Sequence, residues 1–101
     1  MQTATLTKSV LIVDDQLTVR QLLHEVARKA GYDTWLAENG LKALEMTREC
    51  SPSVIIMDIK MPVMDGLEAF RLIHQEFPEI PVILMTAYGT LDTVVEAMKM
   101  E

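Results

Sequence analysis

The chain has 101 residues, half of them apolar, with 9 Lys and Arg against 15 Asp and Glu and a formal net charge of −6. That is one domain's worth of protein, too apolar to be disordered and with no run of the ~18 apolar residues a membrane helix needs. The acidic balance disfavours direct binding to nucleic acid or to an anionic membrane surface, and the lone Cys50 excludes an internal disulfide and fits a reducing, cytoplasmic setting.

Residues 1–8 read as a polar tail without the apolar stretch of a signal peptide. Residues 10–13, Val-Leu-Ile-Val, form a short β-branched run that ends at Asp14-Asp15, the pattern of a strand buried on both faces. Val19, Leu22, Leu23, Val26, Ala27 and Ala30 then recur at helical spacing and predict a helix with one buried face. Lys29 falls in its last turn and Gly31 is placed as a left-handed cap. Residues 33–37 predict a second strand and 38–40 a turn. Residues 41–49 predict a helix stopped by Ser51-Pro52, and residues 53–57 a third strand ending on Asp58. After a loop over 59–65, residues 66–77 predict a helix with Leu67, Phe70, Ile73 and Phe77 inward. Residues 81–85 predict a fourth strand. Thr90 is placed to cap a fourth helix with Leu91, Val94, Val95 and Met98 inward.

Strictly alternating strands and helices with short loops predict an α/β domain: a doubly wound parallel sheet, helices on both faces and right-handed crossovers. In such a sheet ligands bind at the carboxyl edge where the strand order reverses. With the common order 2-1-3-4, Asp14, Asp15 and Asp58 converge on one crevice. Crowded carboxylates repel, so some are protonated or a cation lies among them. Hard oxygen ligands suit Mg²⁺ or Mn²⁺, and an Asp beside such an ion is a nucleophile for phosphoryl transfer. Taken singly, Asp14 or Asp15 reads as a helix cap and Asp58 as a turn residue; three on one edge are harder to explain that way. His24 and His74 read as exposed helix residues, most Met residues as core filling, and Met61 and Met64 as candidates for a partner surface.

Three motifs in order, Val10-Leu-Ile-Val-Asp-Asp15, Asp58-Ile-Lys-Met-Pro-Val-Met-Asp-Gly66 and Met85-Thr-Ala-Tyr-Gly89, resemble the receiver domain of two-component response regulators. The likeness extends from about Ser9 to the end and implies a flavodoxin-like fold. Within the family it is strongest to single-domain relay regulators of the sporulation type and to nitrogen-regulation-type receivers. The resemblance implies that Asp58 is the phosphoacceptor and that Asp14, Asp15, Asp58 and the backbone carbonyl of Lys60 hold Mg²⁺ or Mn²⁺. It also implies that Thr86 is a switch hydroxyl with Ala87 its small neighbour. The donor would be a sensor histidine kinase or a histidine phosphotransfer protein, docking across Gln16, Val19, Leu22, Lys60 and Tyr88.

The family pattern continues with a fifth strand, a Lys-Pro turn and a fifth helix, which lie beyond Glu101. Residues 9–101 are therefore expected to form a receiver domain incomplete at its C-terminus. The fourth strand becomes an unguarded edge, expected to pair with another copy or to exchange elements with it. The absent Lys favours an alternative, a receiver-like interaction module that is not phosphorylated. A haloacid-dehalogenase-type enzyme needs a second Asp where Lys60 stands, and a flavodoxin needs a phosphate loop where Asp14-Asp15-Gln16 would repel the ligand. The expectation is a signalling phosphoacceptor that promotes only its own phosphorylation and dephosphorylation, rather than an enzyme with a separate substrate.

Overall fold

The β-branched runs become strands because their side chains pack on both faces of a pleated surface. The structure, a computed structural model, describes residues 8–85. Their order is β1 (Ser9–Val13), α1 (Leu17–Lys29), β2 (Asp33–Ala37), α2 (Gly40–Cys50), β3 (Val54–Asp58), α3 (Gly66–Glu76) and β4 (Val82–Met85). The expected fourth helix lies outside the described residues.

All pairings are parallel and the strand order is β2-β1-β3-β4. The register sets Val13 against Ala37 on one side and against Met57 on the other. The C-terminal ends of the two central strands are therefore level, and Asp14 follows β1 where Asp58 closes β3.

Alternation divides the strand residues between two faces. Leu11, Val13, Ala37, Ile55 and Met57 join Ala43 and Leu44 of α2 and Ala69, Phe70 and Ile73 of α3 in the main core. The opposite face carries Val10, Ile12, Val54, Ile56 and Ile83, and α1 lies against it. Here the expectation of a buried helix face is corrected. No residue of α1 is buried, Val26 is 58% exposed, and an apolar groove of about 360 Å³ runs between α1 and the β3–β4 side of the sheet. The physical reason is that one helix cannot cover four strands. Among the described residues α2 and α3 share one face, while α1 has no companion on the other.

Helix ends follow their local chemistry. Asn39 caps α2 by accepting from the Lys42 N–H at 2.8 Å, and Asp65 caps α3 by accepting from the Glu68 N–H at 2.9 Å. Ser51 closes α2 in the left-handed region at φ 47, and Gly31 follows α1 at φ 93 as expected.

Candidate functional site

Three carboxylates meet at the carboxyl edge of β1 and β3. Asp14, Asp15 and Asp58 each offer an oxygen within 4.8 Å of the others. They differ in environment: Asp14 is 5% exposed, Asp58 is half-buried and Asp15 is exposed. Asp14 is tied down at three points. Its N–H donates to the Ala37 carbonyl at 3.1 Å, extending the β1–β2 ladder by one bond. Its Oδ1 accepts from the Gln16 N–H at 2.9 Å, and its carbonyl accepts from the Arg20 guanidinium at 2.7 Å. The side chain thus braces the turn into α1 rather than capping the helix from the N-cap position, which Gln16 holds without a side-chain bond.

Burial pushes the Asp58 carboxyl above its ordinary range, and the neighbouring charge of Asp14 pushes it further. The N–H groups of Ile59 and Lys60 oppose that shift, and Asp15 adds a smaller push upward. At 4.8 Å and an effective dielectric near 20, each carboxylate pair repels by about 3–4 kcal/mol before screening. A divalent cation relieves both burial and repulsion. The donor set is all hard oxygen and one side is open to water, which suits Mg²⁺ or Mn²⁺.

The loop from β3 to α3 is held close to the acceptor. The Gly66 N–H donates to the Ile59 carbonyl at 2.8 Å, and a Cβ on Gly66 would collide with the Asp58 carbonyl and lie 2.9 Å from the Ile59 Cα. Only glycine allows α3 to start there. Between them, the Met64 N–H donates to the Pro62 carbonyl at 2.7 Å around Val63, whose φ of 70 is rare for a β-branched residue. The Met64 carbonyl in turn accepts from the Gly40 N–H at 2.9 Å, anchoring the loop to α2.

Comparison with known proteins decides the family. The response regulator receiver domain family matches residues 10–101. The chain belongs to this family. It is 43% identical over 93 residues to sporulation initiation phosphotransferase F of Bacillus subtilis, covering 92% of this chain and 75% of that protein. It is 42% identical over 90 residues to the regulatory protein AtoC of Escherichia coli, covering 89% of this chain but only 20% of AtoC. Among solved structures, the Vibrio cholerae chemotaxis protein CheY4 superposes with a TM-score of 0.85 at 28% identity, over 93% of this chain and 80% of that one. A receiver domain protein from Clostridium thermocellum gives 0.84 at 31% identity, over 91% and 75%.

In this receiver domain the structure brings Asp14, Asp15 and Asp58 together and sets Lys60 two residues beyond Asp58, exposed. Gln16 is exposed, Val19 half-buried and Leu22 63% exposed, so Leu22 lies on the wet margin of α1. Thr86, Ala87 and Tyr88 lie outside the described residues. Two expectations are corrected. His24 is half-buried and its Nδ1 is bonded to the Thr34 Oγ1 at 2.5 Å, because α1 lies across β2 there. His74 is half-buried and stacks on Phe70 with ring centroids 5.5 Å apart. Met61 and Met64 are half-buried, each packed in part against the main core. Sequence reasoning missed Arg20. An Arg on the polar side of a helix carries no signal of its own that it reaches back six residues.

Proposed function

We propose that this receiver domain takes a phosphoryl group from phosphohistidine onto Asp58. The observation that carries the reading is the convergence of Asp14, Asp15 and Asp58 at the carboxyl edge of adjacent central strands. An Asp58 carboxylate oxygen forms the new O–P bond while the P–N bond to the histidine ring breaks and its electron pair returns to the ring nitrogen. Asp14, Asp15, Asp58 and the Lys60 carbonyl are the residues to hold Mg²⁺ or Mn²⁺, which when bound supplies positive charge beside the phosphoryl oxygens. Asp14 is fixed and Asp15 is free to adjust, so the pair presents one rigid and one adaptable ligand. Thr86, beside a small Ala87, is the hydroxyl to answer the new charge.

The domain is residues 9–101, preceded by a polar tail at 1–8. It is a cytoplasmic signalling phosphoacceptor that promotes only its own phosphorylation and dephosphorylation. The donor is a sensor histidine kinase or a histidine phosphotransfer protein, docking over Gln16, Val19, Leu22, Lys60 and Tyr88. In support, no helix among the described residues is long and apolar enough to cross a membrane. The acidic cluster speaks against an interaction module that is never phosphorylated. Transfer from a ³²P-labelled phosphohistidine protein tests the reading. Label should move to the wild-type chain and not to Asp58→Ala; label on both variants, or on neither, overturns it.

A further inference from the structure

We propose that Arg20 is a positioning residue for the divalent-cation site, acting through the Asp14 main chain; this rests on the reading of Asp14, Asp15 and Asp58 as that site. The β1 ladder ends at Val13 on both sides, with one further bond from the Asp14 N–H. The Asp14 carbonyl therefore lies beyond the sheet, where the chain turns away into α1. Buried carbonyls need a partner, and Arg20 supplies it from one turn inside the helix at 2.7 Å. Its own N–H donates to the Gln16 carbonyl at 3.1 Å, so the helix fixes the base of the side chain. Together with the Gln16 N–H on Oδ1, this ties Asp14 through both its main chain and its side chain while it offers a carboxylate oxygen to the cluster.

Two effects of removing Arg20 oppose each other. Loss of a cation near three carboxylates favours a bound metal. Loss of the brace frees the turn that carries two of the three ligands. Among the described residues no hydrogen bond joins the Arg20 side chain to a carboxylate; its guanidinium donates to the Asp14 carbonyl, so it acts on backbone positioning. The brace therefore dominates. Residues that orient metal ligands typically control affinity by 10–100-fold, and an indirect, main-chain brace belongs at the lower end, about tenfold.

The test is Mn²⁺ affinity by electron paramagnetic resonance on the full chain, with folding of each metal-free variant followed by circular dichroism. Arg20→Met should bind Mn²⁺ about tenfold more weakly, and Arg20→Lys, whose ammonium can still reach the carbonyl, should recover most of the loss. Arg20→Gln, too short to reach, replaces Arg20→Met if that variant does not fold. Arg48→Ala, which breaks an exposed ion pair between α2 and α3, controls for general destabilisation and should leave affinity unchanged. Unchanged or tighter binding by Arg20→Met or Arg20→Gln overturns the inference, as does failure of Arg20→Lys to recover. Absence of Mn²⁺ binding by the wild type, or equal binding by Asp14→Asn, overturns the site reading itself and the inference with it.

Discussion

At the scale of single residues, Asp58 is held in a place that disfavours its own charge. Its carboxyl titrates above the ordinary range in the folded chain, first through burial and then through Asp14. A raised folded value means that its contribution to stability is present in acid and is lost as pH rises through that value. Metal-free wild type should thus lose this contribution as pH rises above the ordinary carboxylate range, whereas Asp58→Asn should not. In EDTA at neutral pH the variant should melt higher, and the gap should narrow on acidification and on adding Mg²⁺. A gain of about 1 kcal/mol shifts the midpoint by roughly 4–8 °C in a domain of this size. Equal melting of the two at every pH would show that the site is not strained by charge. Gly66 makes a second residue-scale case. Gly66→Ala drives a methyl into the Asp58 carbonyl, so a loss of roughly 2–4 kcal/mol in urea unfolding is expected. The acidic cluster was legible in the sequence because Asp14-Asp15 come straight after one short apolar run and Asp58 ends another. The Arg20 brace and the Val63 turn were not, since both depend on how the backbone closes after the strand ends.

At the scale of elements, the two faces of the sheet differ in how firmly they are covered. Ile55 is fully buried beneath α2 and α3, and Val26 of α1 is 58% exposed. Ile55→Ala should cost about 2–5 kcal/mol and Val26→Ala under about 1 kcal/mol, measured by chemical denaturation. Comparable losses would mean that α1 is packed far more tightly than its exposure shows. Every described strand and helix was legible from periodicity and from the Pro, Gly and Asn punctuation, with bounds off by a residue or two. The periodic stripe of α1 misled about burial, because periodicity reports which side of a helix faces inward and not whether anything beside it completes the cover. Val26 and Ala30 lie on that stripe and remain exposed.

At the scale of the whole molecule, the apolar groove lies beside β4, the edge strand among the described residues, with Ile83 54% exposed between them. Association of copies through that edge should appear as a concentration-dependent rise in mass by sedimentation, weakened by Ile83→Lys, which places a charge on the strand. A monomer at all micromolar concentrations would rule it out. The central claim is that the three converging carboxylates make Asp58 a metal-dependent phosphoacceptor. Its most direct test is the intact mass of the chain after incubation with acetyl phosphate and Mg²⁺, beside an EDTA sample and Asp58→Ala. One added phosphoryl group in the first sample alone is the expected result. No addition to folded, metal-binding wild type, or an addition that survives Asp58→Ala, would contradict it.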